Sequence, residues 1–362
     1  MPATDPQLVP AGDLREGLKA LFCAWGVPPD QAATTAEVLV EADLMGIDSH
    51  GITLIPLYDE LLRSGKVVAA AEITVARAFG AIAVVDGGGG FGQAPAMLAM
   101  DLAVDRAKAY GVGAVAAHNS NHYGAAGVYA LRAVARGCIG VSTTAVYKPS
   151  IVPTFGRVPR LGTNPIAFAA PGQANPPFLL DMATSTIAIG KLKLAVREGK
   201  RLPEGWALNR EGRPQTNPEA ALADRLMTPL GGSRAMGGHK GYGLAAMVEV
   251  LSTFLGGAAY APLRPPEAER FDVGHFCLAL HPEAFREAGA FEADLDAFVE
   301  MLRATPPVDP LKPVLVPGDP EHAARERRLC DGIPVPASLL DTVRSIARHW
   351  SVDFLPTSTP AG

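Results

Sequence analysis

Residues 111–127, which read GVGAVAAHNSNHYGAAG, join a predicted strand to a predicted helix. The apolar run 112–117 is typical of a strand that is buried within a sheet. The polar residues 118–122 follow directly, and a helical run begins at Gly124. In open α/β sheets ligands gather at the carboxyl ends of strands, and the free N–H groups of a helix N-terminus favour anions. The segment therefore predicts an α/β fold with a ligand site here, although an ordinary helix cap and turn would explain the same polar residues.

The composition favours a large globular protein. Of its 362 residues, 48% are hydrophobic and the mean hydropathy is +0.15, which suffices for one large domain or about two to three closely packed ones. The net charge of −5 argues against nucleic acid or an anionic membrane surface as the main partner. No apolar run is long enough to span a membrane, and the acidic, proline-broken N-terminus predicts no signal peptide.

The cysteines and histidines predict neither a disulfide framework nor a metal site. The four cysteines are scattered and lack C-x-x-C spacing. The eight histidines lack H-E-x-x-H spacing, and His118 with His122 has no third ligand nearby in the sequence. A G-x-S-x-G elbow is also absent, which argues against serine hydrolysis. We therefore expect a cytoplasmic enzyme that acts on a small molecule without a metal.

Hydrophobic periodicity and turn residues predict helices and strands along the whole chain. Residues 1–65 read as three helices, with Asp13 as the cap of the first and Ser49 as the cap of the third. One face of the first helix carries Leu14, Leu18, Leu21, Phe22 and Trp25. Further helices are predicted at 94–110, 124–137, 187–198, 237–255, 291–303, 320–331 and 337–349. Strands are predicted at 73–75, 81–85, 112–117, 138–144, 166–169, 178–180 and 276–280.

The segment GGGGFG, residues 87–92, matches the dinucleotide-binding fingerprint G-x-G-x-x-G through Gly87, Gly89 and Gly92. A predicted strand precedes it and a predicted helix follows it, as the fingerprint requires. The acidic residue expected about 20 residues further on is missing, because that region is the apolar run 112–117. We interpret the segment as a glycine turn that does not contact pyrophosphate, with a Rossmann site as the alternative.

The segment DSHG, residues 48–51, is a candidate proton-transfer site between two predicted helices. The ordinary pKa of His50 is close to neutral, so this side chain can trade a proton at working pH. Ser49 beside it can hydrogen-bond a substrate oxygen, and Gly51 lets the backbone approach a ligand closely. The alternative is that Ser49 only caps the helix and His50 is a solvated loop residue.

Lys240 is a candidate phosphate ligand in the segment GGHKGYG, directly before a predicted helix. Glycines and an ammonium group at a helix start suit a phosphate. The spacing is not that of a P-loop, so nucleoside triphosphate chemistry is not implied. The alternative is a glycine cap with a solvated lysine.

The polar segments 162–165 and 181–185 adjoin predicted strands, and their side chains suit contacts with ribose or amide groups of a ligand.

Five motifs occur in order along the chain and together resemble one family. They are Asp48-Ser49-His50-Gly51, Asn119-Ser120-Asn121-His122-Tyr123-Gly124, Leu161-Gly162-Thr163-Asn164-Pro165, Asp181-Met182-Ala183-Thr184-Ser185 and His239-Lys240-Gly241-Tyr242-Gly243. They resemble the type-2 malate/L-lactate dehydrogenase family, which also contains ureidoglycolate, sulfolactate and diketogulonate dehydrogenases and a branch of cyclic imino-acid reductases. The likeness covers residues 10 to 340 or so.

The resemblance implies an α/β, non-Rossmann fold, with a mixed sheet in the part that binds NAD or NADP and a helical N-terminal segment. It implies that residues 1–110 together with 310–362 form the helical, substrate-binding and dimerisation part, and that 111–309 bind the nicotinamide cofactor. It also implies a homodimer.

The resemblance assigns roles residue by residue. His50 matches the family's acid/base histidine, with Ser49 beside it, and His122 matches a second histidine that is the proton acceptor in some members. The cofactor-contacting positions are His122, Thr163, Asn164, Asp181, Met182, Ala183, Thr184, Ser185, Lys240, Gly241, Gly318 and Asp319. The positions expected to face the substrate are Leu54, Lys148, Asn121 and Lys191.

Two positions depart from patterns within the family. Many members carry an arginine that holds the substrate carboxylate where this chain has Leu54, so Lys148 or backbone amides must take that role or the substrate differs. Imino-acid reductases resemble a Ser-His-Asp arrangement whose aspartate falls at Lys191 here. A charged lysine cannot accept that hydrogen bond, and it would lower the pKa of His50 by repulsion.

These features predict an NAD(P)-dependent oxidoreductase that acts on a small 2-hydroxy or 2-oxo acid. In oxidation His50 takes the hydroxyl proton while hydride leaves for the nicotinamide. The alternatives are an NADPH-dependent reductase of cyclic imino acids of the piperideine- or pyrroline-2-carboxylate type, and a non-catalytic relative that only binds ligand.

Overall fold

A computed structural model describes residues 6–355 of the chain. Within these residues the structure has nine strands and eleven α-helices. The strands are β1 (Gln7–Val9), β2 (Thr74–Phe79), β3 (Ile82–Asp86), β4 (Val112–Ser120), β5 (Ile139–Thr144), β6 (Ile166–Ala170), β7 (Phe178–Met182), β8 (Val273–Leu280) and β9 (Ile333–Val335). The helices are α1 (Ala11–Ala24), α2 (Pro29–Leu44), α3 (Ile55–Arg63), α4 (Gln93–Tyr110), α5 (Ala126–Val134), α6 (Ile189–Glu198), α7 (Pro218–Asp224), α8 (Gly238–Glu249), α9 (Ala290–Arg303), α10 (Asp319–Asp331) and α11 (Ala337–His349).

Seven strands form one mixed sheet in the order β2-β3-β4-β8-β5-β6-β7. Only the pair β3 and β4 is parallel among these strands, and every other neighbouring pair is antiparallel. In a doubly wound sheet the strands run parallel, and their carboxyl ends gather at one edge. The antiparallel pairing therefore confirms the predicted α/β, non-Rossmann fold with a mixed sheet.

Helices α4 and α5 pack closely on the sheet because small residues line the contact. The buried alanines of α4 include Ala96, Ala99, Ala103 and Ala107. An added Cβ at Gly113 of β4 would lie 1.9 Å from the carbonyl oxygen of Ala103. An added Cβ at Gly140 of β5 would lie 2.5 Å from the carbonyl oxygen of Ala130 in α5. Both helices thus approach the strands at glycines, where no side chain intervenes.

A second apolar cluster joins the two ends of the chain. Helices α1, α2 and α3 bury their apolar faces together with residues of α11 and of the small sheet that β1 and β9 form. The predicted face of α1 is confirmed, because Leu14, Leu18, Leu21, Phe22 and Trp25 are all buried. A third cluster lies among the loops and short helices of residues 151–245.

Several local predictions were wrong or incomplete. Neither Asp13 nor Ser49 caps a helix: α1 follows Pro10, and the segment at Ser49 forms a short 3₁₀ turn, Asp48–His50. Strand β4 continues through the polar cluster to Ser120 instead of ending before it. Sequence periodicity also missed α7, β1, β9 and a π-helical turn, Val250–Phe254, that extends α8. No helix within residues 6–355 combines the length and apolar character that crossing a membrane requires.

Candidate active site

The Ser49-His50 segment is fixed by a buried carboxyl group from α2. The side chain of Asp43 is buried, and its Oδ2 accepts a hydrogen bond of 2.8 Å from the N–H of Ile52. An added Cβ at Gly51 would lie only 1.8 Å from Asp43 Oδ1, so this close approach needs a glycine. Burial raises the pKa of Asp43 to about 7, against the opposing effects of the Ile52 N–H and the Arg328 charge. The loop therefore rests on Asp43 from the α2 side.

Arg328 of α10 holds the same loop from the other side. Its guanidinium is buried and donates to the carbonyl oxygen of Asp43 and to the carboxylate of Asp48. A bidentate contact of this kind fixes geometry as well as charge. The position of the candidate proton-transfer segment is thus set by residues almost 300 positions apart in the sequence.

His50 is half-buried, and its Nδ1 lies 2.9 Å from the hydroxyl oxygen of Ser49. Burial lowers the pKa of His50 below its ordinary value. A lowered pKa was expected here, but its cause is burial and not repulsion by Lys191, which lies exposed on α6. His50 is therefore neutral near pH 7 and able to accept a proton.

His122 lies beside His50, with ring centroids 5.7 Å apart and ring planes inclined by 22°. Its Nδ1 is 2.9 Å from the hydroxyl oxygen of Tyr58 and 3.3 Å from the backbone nitrogen of Gly124. Burial, with smaller effects from His50 and His275, lowers the pKa of His122 to about 3. His50 and His122 belong to motifs that are 72 positions apart in the sequence, and the fold brings them together as a pair of neutral imidazoles.

Asn121 fixes the glycine turn rather than projecting a free amide. Its Nδ2 donates to the carbonyl oxygens of Gly89 and Gly90 at 3.2 and 3.0 Å, and its Oδ1 is buried without a protein partner. The backbone N–H groups of the turn are also used internally. Four of them donate to backbone carbonyls, namely Gly87 to His118, Gly89 to Asn119, Gly90 to Gly87 and Gly92 to His122. The fifth, of Gly88, donates to the carboxylate of Asp86. These groups are not free to cradle a phosphate, in agreement with our interpretation of a glycine turn.

Asp181, in β7, connects the expected cofactor segment to the histidine pair. Its Oδ2 accepts a hydrogen bond of 2.7 Å from the N–H of Gly127, in the first turn of α5. This helix begins four residues after His122. Burial raises the pKa of Asp181 to about 6, with the Gly127 N–H opposing and Glu321 adding to the shift. The segment 181–185 and the histidine pair therefore converge on the N-terminus of α5.

The other expected cofactor segments gather around residues 181–185. Thr184 donates to the carbonyls of Thr163 and Asn164, and its own carbonyl accepts from the N–H of Leu230. Leu230 in turn packs against Gly241, where an added Cβ would lie 2.3 Å from the Leu230 carbonyl oxygen. Four separate stretches of the chain thus pack together beside the end of β7, and we call the half-buried and exposed residues of this region the surface at the end of β7.

Gly318 and Asp319 approach the same strand from the start of α10. Gly318 has a φ of +103°, which favours glycine, and an added Cβ there would lie 3.0 Å from the backbone nitrogen of Leu179 in β7. Asp319 is paired with Arg303, and this contact lowers its pKa. Its carboxylate thus has a structural partner already.

The remaining expected residues differ in exposure. Lys240 is exposed at the start of α8, beside Gly241. Asn164 is buried and donates to Glu249 and to the carbonyl of Ala245, while Ser185 is buried and donates to the carbonyl of Ile187. Met182 ends β7 and is half-buried, like Ala183 after it. Lys148 and Lys191 are exposed, and Leu54 lies in the apolar cluster of the N-terminal helices.

Sequence reasoning missed three buried polar residues at this site, namely Asp43, Tyr58 and Gln93. Gln93 is fully buried, and its Nε2 donates to the hydroxyl oxygen of Tyr58 at 2.7 Å. A polar residue on the otherwise apolar face of a predicted helix was the available signal, because buried polar groups need specific partners.

The glycine turn and the surface at the end of β7 differ in the groups that they leave free for a cofactor. The N–H groups of the glycine turn are already hydrogen-bonded within the protein, so they are not free to bind a phosphate. The surface at the end of β7 has half-buried polar residues, an exposed ammonium group at Lys240, and Gly318, where the backbone of α10 comes close to β7. Among residues 6–355, no cluster of three or more His, Cys, Asp or Glu side chains is arranged to hold a metal ion.

Comparison with known proteins places the chain in a family. The profile described as malate/L-lactate dehydrogenase matches residues 9–344. The chain belongs to the malate/L-lactate dehydrogenase family. A malate dehydrogenase of Pyrococcus horikoshii is 39% identical over 349 residues, which are 96% of this chain and 96% of that protein. The crystal structure of malate dehydrogenase from Entamoeba histolytica superposes with a TM-score of 0.91 at 30% identity, covering 96% of this chain and 99% of that one.

Two further relatives show the range of the family. A (2R)-3-sulfolactate dehydrogenase (NADP(+)) of Chromohalobacter salexigens is 36% identical over 90% of this chain and 93% of that protein. The structure of a delta1-piperideine-2-carboxylate reductase from Pseudomonas syringae has a TM-score of 0.82 at 30% identity, covering 94% of this chain and all of that one. The resemblance drawn from the five motifs is confirmed. This family member is an oxidoreductase of hydroxy and oxo acids that uses NAD or NADP.

Proposed function

We propose that this dehydrogenase interconverts a small 2-hydroxy acid and its 2-oxo acid with His50 as the proton-transfer residue. The observation that carries the proposal is the meeting of two neutral imidazoles, His50 and His122, with the segment 181–185 at the N-terminus of α5. A neutral His50 is the form that can accept the hydroxyl proton in oxidation. The malate and sulfolactate dehydrogenases among the relatives support this reaction class.

The chain's own residues divide the work of the proposed reaction. The bound nicotinamide supplies the hydride acceptor in oxidation and the hydride donor in reduction. His50 accepts the hydroxyl proton at Nε2, because its Nδ1 faces Ser49 at 2.9 Å. The protonated ring returns the proton in the reverse direction, and the contacts of Asp43 with Ile52 and Gly51 keep the loop in place.

We propose that the surface at the end of β7 holds the cofactor. The proposed contacts are Thr163, Asp181, Met182, Ala183, Lys240 and Gly241, together with His122. The buried Asn164, Thr184 and Ser185, with Gly318 and the ion-paired Asp319, shape this surface through their contacts with other protein groups. Lys240 supplies the positive charge for a phosphate, which suits its exposed position at a helix start. Gly318 lets the backbone of α10 close against β7 beside this surface.

The proposed substrate is a 2-oxo acid with an apolar or extended tail. Leu54 offers no guanidinium to clamp a carboxylate, and the amide of Asn121 is engaged by the glycine turn, so Lys148 or backbone amides bind the acid group. The alternative, reduction of a cyclic imino acid, is favoured by the structural similarity to the piperideine-2-carboxylate reductase. Against it stands Lys191, because a lysine there cannot act as the aspartate that would orient His50.

A substrate panel tests the proposal. The purified protein is given 2-oxo acids, including oxaloacetate and longer apolar acids, and five- and six-membered cyclic imino acids, each with NADH and with NADPH. Nicotinamide absorbance reports turnover, and the His50→Asn variant provides the matched background. We expect kcat/KM for cyclic imino acids to be at least about tenfold lower than for the preferred 2-oxo acid.

Two outcomes would contradict the proposal in different ways. A cyclic imino acid as the better substrate would assign the chain to the reductases and remove the argument from Lys191. Binding of NADH or NADPH without turnover of any substrate would identify a non-catalytic relative.

We propose a homodimer in which the face of α8 and its π-helical extension is covered. Met247, Val250, Phe254 and Leu255 are 43% to 60% exposed, and the first three share one face by their spacing. An apolar stripe of this kind on a helix is typical of an interface.

Light scattering should give twice the chain mass, and Phe254→Glu should shift the measured mass towards that of the monomer. Phe285→Glu, at another exposed phenylalanine, should leave the mass unchanged.

We further propose the division of the chain into residues 1–110 with 310–362 and residues 111–309, with the difference that the exposed face of α8 places dimer contacts in the second part and not in the first. The apolar cluster that combines α1, α2 and α3 with α11 supports the joining of the two ends. A cytoplasmic location is proposed as well, since all four cysteines are free thiols.

A further inference from the structure

Three side chains form a buried hydrogen-bonded chain that ends on His122. Gln93 is the first residue of α4 and is fully buried, as is Tyr58 of α3. Gln93 Nε2 lies 2.7 Å from the hydroxyl oxygen of Tyr58, and that oxygen lies 2.9 Å from Nδ1 of His122. These two hydrogen bonds thus connect α4 and α3 to His122.

The direction of these hydrogen bonds follows from a backbone group. The N–H of Gly124 points at His122 Nδ1 from 3.3 Å, and a backbone N–H can only donate. Nδ1 therefore carries a lone pair, so Tyr58 donates its hydroxyl proton to it. The oxygen of Tyr58 then accepts from the amide of Gln93.

Only one tautomer of His122 agrees with this pattern. A neutral imidazole has a single N–H, and with two donors facing Nδ1 its proton is on Nε2. Burial favours the neutral ring, since it lowers the pKa of His122. Burial also raises the pKa of the Tyr58 phenol well above its ordinary value, so the hydroxyl keeps the proton that it donates.

The outward side of the ring remains for the substrate. Within residues 6–355, Nε2 of His122 makes no hydrogen bond to a protein group, and the ring is half-buried beside His50. An N–H fixed at this position can donate to an oxygen that gains negative charge during the reaction. Gln93 Oε1 is buried without a protein partner, so packing against other polar groups does not explain why this position holds an amide, whereas its hydrogen bond to Tyr58 does.

We propose that Gln93 and Tyr58 are positioning residues that hold His122 as the neutral Nε2–H tautomer, so that His122 donates a hydrogen bond to the substrate oxygen and leaves proton transfer to His50. The second half of this statement rests on the proposed function. The first half concerns the free protein and can be measured without substrate.

The tautomer is the first test. The protein is labelled with ¹⁵N at histidine, and long-range ¹H–¹⁵N correlation spectra are recorded near neutral pH, with His122→Asn used to assign the signals. A neutral Nε2–H imidazole places the unprotonated resonance on Nδ1. We expect this pattern for His122 in the wild type. A proton on Nδ1, or a doubly protonated ring, would overturn the proposal.

Variants of the two positioning residues provide the second test. Tyr58→Phe removes one of the two donors to Nδ1, so we expect a mixture of tautomers and a kcat lower by roughly tenfold or more. The KM of the nicotinamide cofactor should stay the same. Gln93→Met, which leaves the Tyr58 hydroxyl free to turn, should change both readouts in the same direction by less. Phe22→Leu alters the packing against the Tyr58 ring and should change neither.

The outcomes separate this proposal from the proposed function. If no substrate is turned over, the function fails, while the spectrum of the wild type still decides the tautomer. If the wild type is active and both variants keep its tautomer and kcat, Gln93 and Tyr58 have only a packing role. If the Nε2–H pattern holds but Tyr58→Phe raises only the cofactor KM, the donor role of His122 towards the substrate is wrong.

Discussion

Burial keeps both active-site histidines neutral, and the two rings differ in what faces their Nδ1 atoms. His50 faces the hydroxyl of Ser49, which can donate or accept, whereas His122 faces two donors. A group that must gain and lose a proton needs a partner that tolerates both states. This difference between the two residues supports the proposal that His50, and not His122, transfers the proton.

His50→Asn should therefore lower kcat by about 10²-fold or more, the usual contribution of general acid–base catalysis. The KM of the cofactor should hardly change, because His50 is not part of the surface at the end of β7. Steady-state kinetics with the best 2-oxo acid would measure both, and His349→Asn, at an exposed histidine on α11, is the matched control. Near-normal turnover in His50→Asn together with none in His122→Asn would reverse the roles.

The exposed ammonium of Lys240 leads to a different kinetic signature. Lys240→Ala should raise the KM of the nicotinamide cofactor more than that of the acid, because our proposal places this charge against a phosphate. Lys108→Ala, at the exposed end of α4, removes a charge away from this surface and should leave both constants unchanged. An unaltered cofactor KM in Lys240→Ala would remove this residue from the cofactor site.

Sequence motifs alone led to His50, His122 and the segment 181–185, whose roles at the site are proposed here. Asp43, Tyr58 and Gln93 were not found in this way, since each acts through a partner outside its own motif. The hydrogen bond from Gln93 to Tyr58 spans 35 positions, and the one from Tyr58 to His122 spans 64.

At the scale of elements, glycines decide how closely helices approach the sheet. Gly113→Ala would place a methyl group 1.9 Å from the carbonyl oxygen of Ala103, so α4 would have to move away from β4. We expect a loss of at least about 2 kcal/mol in the free energy of unfolding, as for other overpacked cores. Denaturant unfolding followed by circular dichroism would measure it.

The matched control is another glycine that has free space. Gly12 lies in α1, and an added Cβ there meets no atom within 4 Å. Gly12→Ala should stabilise the protein by roughly 0.5–1 kcal/mol, because alanine loses less backbone entropy in a helix. Equal effects of the two substitutions would show that helix approach is not limited by Gly113.

The predictability of elements followed their length. Long periodic segments such as α4 and α11 were predicted to within a few residues. The three-residue strands β1 and β9 were missed because so short a run has no measurable alternation. Alternation also says nothing about partners, so the position of β8 between β4 and β5 could not be foreseen.

For the whole molecule, buried His275 in the centre of the sheet predicts how stability depends on pH. Its ring nitrogens lie 2.9 Å from the hydroxyl of Ser120 and 2.7 Å from that of Thr144, and burial lowers its pKa to about 3. Between about pH 6.5 and about pH 3, His275 is protonated in the unfolded chain but neutral in the folded one. The stability that His275 contributes is therefore present above pH 6.5 or so and is lost as the pH falls towards about 3.

His275→Gln keeps polar atoms in the sheet but does not titrate. The difference in unfolding free energy between wild type and this variant should shrink when the pH is lowered from about 7.5 to about 5. His122, Asp43 and Asp181 are present in both proteins, so their contributions to the pH dependence of stability cancel apart from the small effect of His275 on the pKa of His122. A difference that stays constant with pH would show that His275 becomes protonated within the fold.

The pairing of β1 with β9 has a consequence for the order in which this protein can be completed. Gln7 pairs with Val335, so β1 can form its sheet only after the long stretch of chain between these residues has been made. Contacts of such sequence separation slow folding, because the intervening chain must be ordered before they form. The apolar faces of α1, α2 and α3 lack part of their cover until β9 and α11 are synthesised. In a circular permutant that joins the end of the chain after α11 to its start before β1 and opens it at an exposed loop, β9 and β1 lie close together in the sequence. We expect this permutant to refold faster than the natural protein.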